Sequence, residues 1–533
     1  MPKKIYTLDA ETDPFLYGRV PKPFVWGLYD GEEFIYFWGE NCTEQLMEYL
    51  QDEDDIIIYA HNGGKFDYFF LLSYFDTDLF IINGRISKAT LFDNKIELRD
   101  SWLILPLPLS ANEKDAFDYE LMEVQNREQN KNAILRYLNT DCRSLWEWVD
   151  GFRNRFGSGL TLAGSAFKQL RKTGYEIGHT YEGYDEQFRR FYFGGRVQCF
   201  QTGAFKGDFK YVDINSAYSF AMKSKHWFGS DFTESSELPT CEHGSWYAEI
   251  EATSQGALPF RGDDDKLYFP DDNVSRRYFA SGWEINAGLE TDTLVIHKVF
   301  IVFKPLFTED FGEYVDKFYA MKLEAEERGD KTDRQFAKLM LNSCYGKFGQ
   351  DGRNFEKFTI VGAGMRPEDE YDDWELYSMD DEHWIYSRPD PSDSFFNVST
   401  AASVTGFVRA YLWRAICNSE QVLYCDTDSI ICANFNGTIS NDLGAWDLEA
   451  EPSEVYIAQR KMYAMKMKDG STKVASKGVK LNYHQIKNGV ETGQSIVSER
   501  DAPAFSLKYG PRFFTRKTDF ENIAKNACNN PSQ

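Results

Sequence analysis

Residues 423–430 read LYCDTDSI, two carboxylates one residue apart inside an otherwise apolar run. An unpaired charge in an apolar interior costs several kcal/mol or a shifted pKa. Asp426 and Asp428 must therefore sit at a turn, find partners or face cations. The flanking VLY and IIC runs predict strand, tight turn, strand. A turn capped by its own aspartate would satisfy the same letters, so the rest of the chain has to decide.

The chain of 533 residues is long enough for several cores, at ~100–200 residues per domain. MPKKIYTLD holds no apolar signal core, and no apolar run approaches the ~18 residues of a membrane span. These features predict a soluble, cytoplasmic protein with no membrane partner. The nine cysteines are scattered without a CxxC pair, which predicts free thiols. The net charge of -25 speaks against nucleic acid until its distribution is read. Residues 455–533 carry 14 Lys and Arg against 6 Asp and Glu, a net of +8, which leaves -33 for the remainder. Aromatics and glycines interleave those cations (KMYAMK, KYGPRFF), as in a surface that tracks a phosphate backbone. The opposite bias appears at residues 368–382, where nine of fifteen are acidic, and a solvated loop is expected.

The N-terminal part alternates strand-like runs (KIYTLDAE, FVWGLYD, DIIIYAHN) with a helical one (NAILRYLNTDCRSLWEWV), an α/β pattern. In YTLDAET, Asp9 and Glu11 leave one face of a predicted strand. YAHNGGKFDYFFLL places Asn62 and Asp67 at a glycine-rich turn entering an apolar helix. RYLNTDCRSLWEW sets Tyr137 and Asp141 on one helical face. A polar strand edge and an ordinary helix surface are the alternatives. Together the four carboxylates and the tyrosine are what two-metal phosphodiester hydrolysis requires: oxygen ligands for two hard cations and a hydroxyl that orients water. The three segments resemble the motifs of the 3'-5' proofreading exonuclease domain of DNA polymerases, in the RNase H-like superfamily. That resemblance implies Asp9, Glu11, Asp67 and Asp141 as metal ligands and Tyr137 as positioner of water. It also implies Thr12, Asn62 and Phe66 as contacts to the frayed primer end, with Lys114 and Tyr119 from KDAFDY added.

DINSAYS begins with Asp213 at the end of another predicted strand. If that strand neighbours the 423–430 hairpin, Asp213 and Asp428 face each other and can hold cations against a triphosphate. On the helix DRQFAKLMLNSCYGKF, Arg334, Lys338, Asn342 and Tyr345 fall within an arc of roughly 80° at ~3.6 residues per turn. An amphipathic helix with a wet side is the alternative, but it leaves the alignment of cations, amide and tyrosine unexplained.

DxNSxY, KLxLNSxYG and YCDTDS resemble, in order, motifs A, B and C of family B DNA polymerases. The resemblance implies Asp213 and Asp428 as catalytic metal ligands supported by Asp426, with two Mg2+ per active site and Mn2+ as substitute. It implies phosphate contacts from Ser216 and Lys338, a Tyr218 ring that excludes a 2'-hydroxyl, and Tyr345 near the base pair, with Arg334 and Asn342 completing the nucleotide site. KMY at 461–463 resembles the primer-holding KxY motif, through Lys461 and Tyr463. YFGG at 192–195 resembles the YxGG linker motif, through Tyr192, Gly194 and Gly195. Motif A usually continues with proline where this chain has Ser219, which puts the local turn in question.

The compact length, YFGG and the step from motif A to motif B resemble the protein-primed branch that replicates linear genomes. PKPFVWGLYDG, AHNGGKFD, FYFGGR and LGAWDLEA are most similar to the tectivirus type. The implied fold is multidomain α/β and α+β, an RNase H-like exonuclease domain followed by a palm-fingers-thumb polymerase domain. The boundaries expected are 1–170 for the exonuclease, 171–200 for the linker, 201–304 for palm with a β-rich insertion after motif A, and 305–349 for fingers. Residues 350–454 are expected as palm with the acidic insertion, and 455–533 as thumb and basic module. A monomer is expected, with primer-template DNA, deoxynucleotides, a terminal protein primer and a single-stranded DNA-binding protein as partners. A nucleic-acid-primed family B polymerase is the alternative nearest in chemistry. A nuclease or a non-enzymatic DNA-binding protein with a decayed polymerase half stands further off, since the motif residues are intact.

Overall fold

The run KIYTLDAET forms the strand Lys4–Thr12, whose Tyr6, Leu8 and Ala10 are buried on one face while Asp9 and Glu11 emerge on the other. It pairs in parallel with Ile56–Ala60, which pairs in parallel with Ile96–Asp100, and it is antiparallel to Pro23–Tyr29. This chain of pairings anchors the first of two units in a computed structural model that describes residues 3–13, 21–108, 117–240, 243–368, 373–390, 396–493, 496–507 and 510–520. The first unit comprises residues 1–168, 351–392 and 500–516, and the second the remainder.

In the first unit the helix Lys131–Phe156 lies on the Lys4–Thr12 strand. Ile134, Leu138, Asp141, Cys142 and Leu145 are buried along it at three- and four-residue steps. The Thr7 hydroxyl donates to the Cys142 carbonyl at 2.7 Å.

Three expectations change here. The stretch after Asn62 is not an apolar α-helix but three 3-10 turns, Gly63–Lys65, Asp67–Phe70 and Leu72–Tyr74. Asn62 at φ 62° and Phe66 at φ -148° break the helical run. Second, residues 351–392 join the first unit rather than the palm, because Glu356–Gly362 pairs with Asp78–Ile82 through Phe358↔Leu79. The sheet so extended has ten strands, and its edge strand Glu375–Met379 runs through the acidic block expected as a loop. Third, residues 500–516 leave the C-terminal module for this unit, where Phe505 packs against Phe66, Phe69 and Phe70 and Leu507 is buried.

The second unit begins at Gln169, close to the expected boundary. Its central sheet is antiparallel, in the order Trp446–Ala450, Lys210–Ile214, Ser429–Asn434, Glu420–Asp426, Val197–Cys199. The long helix Val398–Cys417 is buried along most of its length. A helical hairpin, Gly312–Arg328 and Lys331–Ser343, carries the motif B residues. The β-rich insertion is a four-stranded sheet, His226–Ser235, Leu294–Glu309, Tyr247–Ser254, Ser275–Ser281, with a small Phe260–Arg261/Leu267–Tyr268 hairpin. A second four-stranded sheet, built mostly from residues 452–476, supports the helix Tyr483–Thr492. Among the described residues no helix is long and apolar enough to cross a membrane.

Two candidate carboxylate sites

In the first unit, Cys142 lies within electrostatic range of Asp9, Glu11, Asp67 and Asp141, so the helix Lys131–Phe156, the first strand and the 3-10 segment place the four carboxylates in the neighbourhood of one buried thiol. Asp67 and Asp141 are buried, and Asp9 and Glu11 are half-buried. Burial raises the pKa of Asp67, with the nearby Asp100 adding to the effect. Among the described residues its Oδ1 finds no hydrogen-bond partner. Burial also raises the Tyr137 phenol, and the Tyr119 hydroxyl 3.3 Å away and the Asp141 charge push the same way. Phe117, which sequence reading passed over, stacks on Tyr137 at 4.4 Å.

The primer-end residues are placed unevenly. Asn62 accepts from Arg85 Nη1 at 2.8 Å, and the same nitrogen donates to Asp100 at 2.5 Å. The Phe66 ring sits 4.8 Å from Phe505, Thr12 is buried, and Tyr119 is exposed. Lys114 lies outside the described residues.

In the second unit the strand Lys210–Ile214 pairs with Ser429–Asn434 so that Asp213 stands opposite Ser429, one residue from Asp428. The turn is tight: Thr427 takes φ 62°, and Ser216, within motif A, takes φ 55°. Burial and the Asp428 charge lift the Asp213 pKa to about 7. Asp428 rises to about 6, again chiefly by burial, with the Asp426 charge adding to it. Two carboxylates held above their ordinary range by burial and neighbouring negative charge make a site that favours cations.

Asp213 and Asp428 line a cleft of about 650 Å³ together with Ser216, Tyr218, Arg334, Lys338, Asn342 and Tyr345. Motifs A, B and C thus meet there. Tyr345 lies two residues beyond the helix proper, in the 3-10 turn Tyr345–Lys347, yet still reaches the cleft. Lys322 also lines it, and burial together with the Arg334 and Lys338 charges lowers its pKa. Arg334 pairs with Glu326 at 2.6 Å. Asp447 and Glu449 complete the acidic end, Asp447 directly across from Asp213. Sequence reading missed Lys322, Asp447 and Glu449, although the alternation in WDLEA puts the last two on one strand face. Ser219 settles the question of motif A: its buried hydroxyl donates to Leu341 O at 3.2 Å and the helix Ala217–Met222 forms.

Asp426 is engaged differently from its neighbour. Lys461 Nζ donates to both its oxygens, at 2.7 and 2.9 Å, and Tyr424 OH donates to Oδ2 at 3.2 Å. Tyr463 is buried 5.1 Å from Tyr424. In the YFGG segment, Arg409 Nη1 donates to the carbonyls of Phe193 and Gly194, Gly195 abuts Thr427, and Tyr192 packs on Gly349. Among the described residues no group of three or more His, Cys, Asp or Glu side chains is arranged to hold a metal ion. A pair of carboxylates open to a cleft is nevertheless what Mg2+ takes when substrate phosphates supply further ligands, and the unpartnered Asp67 Oδ1 fits a cation in the first unit.

The model of the family described as DNA polymerase type B, organellar and viral, matches residues 107–382. The DNA-directed DNA polymerase of Enterobacteria phage PRD1 is 40% identical over 488 residues, 90% of this chain and 86% of that protein. A DNA polymerase of Kluyveromyces lactis is 22% identical over 80% of this chain and 53% of its own length. Among solved structures, Phi29 DNA polymerase complexed with primer-template DNA superposes with a TM-score of 0.73 at 15% identity, covering 97% of this chain and all of that one. The complex of the same polymerase with primer-template DNA and incoming nucleotides gives 0.71. The expected multidomain fold, exonuclease-type domain plus palm, fingers and thumb, is therefore the observed one.

Proposed function

We infer the reaction from one premise: the chain belongs to the type B DNA polymerases of organelles and viruses. It is a DNA-directed DNA polymerase. Beyond that, our reading is a polymerase that also proofreads in the 3'-5' direction and starts synthesis on a terminal protein.

The observation that carries this reading is the presence of two separate carboxylate constellations, one in each unit. At the polymerising site Asp213 and Asp428 would hold Mg2+, with Mn2+ as substitute. Cations held by these two carboxylates would supply Lewis acidity to phosphoryl transfer. Lys338, Arg334 and Lys322 receive the triphosphate, and Asn342 and Tyr345 border the nucleotide. Tyr218 closes the space that a 2'-hydroxyl would fill. Lys461, on its bridge to Asp426, holds the primer strand beside the metal-binding turn.

At the degrading site Asp9, Glu11, Asp67 and Asp141 would hold the cations. Tyr137 orients the attacking water, and Thr12, Asn62 and Phe66 hold the frayed end. Primer-template DNA and deoxynucleotides are the substrates, as in the complexes of the Phi29 enzyme. A labelled primer-template tests the reading: extension with nucleotides, 3' shortening without them, and nucleotide transfer to a cognate terminal protein are expected. Extension without shortening would remove proofreading. Failure to label any cognate terminal protein would favour nucleic-acid priming.

A further inference from the structure

The buried arginine that follows YFGG has no role in the chemistry above, yet every part of its guanidinium is engaged. Arg196 is 1% exposed. No ion pair with a carboxylate is found for it among the described residues. Its guanidinium is sandwiched between the rings of Phe269 and Trp413, each 4.3 Å away. Nη1 donates to the Gly256 carbonyl at 2.7 Å, and Nε and Nη2 both donate to Gln198 Oε1, at 3.0 and 2.5 Å. Gly256 and Phe269 belong to the loops of the insertion sheet, and Gly256 N donates to Pro270 O at 2.7 Å, which closes that loop on itself.

The other end of the same residue touches the catalytic turn. The Arg196 carbonyl accepts from Thr427 N at 2.6 Å, between Asp426 and Asp428. Thr427 is a β-branched residue at φ 62°, a conformation that needs outside support. Gly195 approaches so closely that an added Cβ would lie 2.7 Å from Thr427 Cγ2. A planar fork with five donors is suited to fixing a backbone this way. A lysine cannot reproduce it, because it presents one point charge on a flexible stem.

We propose that Arg196 is a positioning residue for the Asp426–Thr427–Asp428 turn, and that through it the insertion sheet braces the metal-binding end of the palm. Ile214 N also donates to Asp428 O at 2.8 Å, but the bond at the strained Thr427 itself is the one from its N to Arg196 O, an acceptor immobilised by a side chain clamped between the insertion and the helix Val398–Cys417. A disturbance of the Gly256 or Phe269 loops is thereby felt at Asp428.

Arg196→Lys and Phe269→Leu test this in the full chain. Loss of the fork or of one ring should lower kcat for extension of a primed template, about tenfold for Arg196→Lys and about threefold for Phe269→Leu. KM for deoxynucleotide should change by less than about twofold. Independently of turnover, the Mn2+ concentration that half-saturates the thermal shift of the nucleotide-free protein should rise about threefold in Arg196→Lys. Cooperative unfolding within a few degrees of wild type establishes that each variant folds. Wild-type kcat and wild-type Mn2+ titration in folded Arg196→Lys would overturn the positioning role. So would a variant that loses turnover only through weaker DNA or nucleotide binding. An effect in Arg196→Lys with none in Phe269→Leu would overturn the bracing by the insertion. If Phe269→Leu does not fold, Phe269→Met, at the same insertion position, takes its place with the same reading.

Discussion

The rings of Tyr218 and Tyr345 stack 4.0 Å apart and 5° from parallel, so the residue proposed to exclude a 2'-hydroxyl is held by a residue of motif B. A ring clamped this way cannot swing aside for a larger sugar. Tyr218→Val should raise ribonucleotide incorporation roughly 10- to 200-fold relative to deoxynucleotide, the range for shape discrimination at one contact. Tyr345→Ala should give a smaller rise, because Tyr218 remains but loses its stop. Incorporation ratios from paired nucleotide titrations measure both, and an unchanged ratio in Tyr218→Val removes the role.

Asp213 makes a prediction about stability as well as activity. Its folded pKa of about 7 lies above the ordinary 3.8, so the native state holds this proton more readily than the unfolded chain. The stabilisation is complete below pH ~3.8 and is lost as pH rises through about 7. Without divalent cations, Asp213→Asn should therefore raise Tm at pH 8 and change it little at pH 4. Magnesium should raise the Tm of wild type at pH 8 and not that of the variant. Nucleotide addition should fall by roughly 100- to 1,000-fold or more, the scale of losing one transition-state contact.

His226 should act in the opposite direction over part of the same range. It is fully buried and neutral, with Nδ1 2.8 Å from Ser403 Oγ and Nε2 2.6 Å from Ala221 O. Burial lowers its pKa to about 4. The stabilisation is present above pH ~6.5 and is lost as pH falls through about 4, by roughly 3 kcal/mol. His226→Gln should flatten the acid limb of a Tm profile that Asp213→Asn leaves steep there.

Glu11→Ala combined with Asp9→Ala should stop 3' shortening and spare synthesis, because the two carboxylate constellations belong to different units. Shortening at the wild-type rate by purified, nuclease-free protein would show that the first unit's carboxylates do something else.

What was legible in the sequence follows from how local each signal is. Asp9 and Glu11 share a face by the period of a strand, and Tyr137 and Asp141 by the period of a helix, so three letters suffice for the first pair and five for the second. The meeting of Asp213 with Asp428 has no local cause. It depends on the pairing Asp213↔Ser429, which spacing does not reveal and which only the resemblance supplied. The same holds for Phe358↔Leu79, which carries residues 351–392 into the first sheet against the expectation of a palm insertion. In the acidic block, charge pointed to a solvated loop, but an edge strand can be held by main-chain pairing alone, and Glu375–Met379 pairs with His383–Pro389 while its side chains stay exposed or half-buried. Arg196 was invisible for another reason. Arginine is ordinarily a surface residue, and nothing near FGGR announces that Phe269 and Trp413 will enclose it.

The last prediction concerns initiation on a terminal protein. A broad deletion of the β-rich insertion cannot test it, because Tyr247 lies in the core with Trp227 and Phe303. Glu284 would be lost as well, and it holds the buried Arg409 at 2.7 Å. Such a deletion would leave Arg409 as an uncompensated buried charge, costing about 3–5 kcal/mol. The Phe260–Arg261/Leu267–Tyr268 hairpin is a better target. Its base touches the YFGG segment, where Arg261 Nη2 donates to Tyr192 O at 3.4 Å, but its tip is held by local bonds such as Tyr268 OH to Asp264 at 2.8 Å, and Arg261 stands opposite Leu267, so a two-residue Asn-Gly turn can replace residues 262–266. If the insertion receives the terminal protein, that variant should initiate on it several-fold less well while extending an ordinary primer at the wild-type rate. Equal loss of both activities would make the hairpin a general support of the palm. Unchanged initiation would move the contact to another surface.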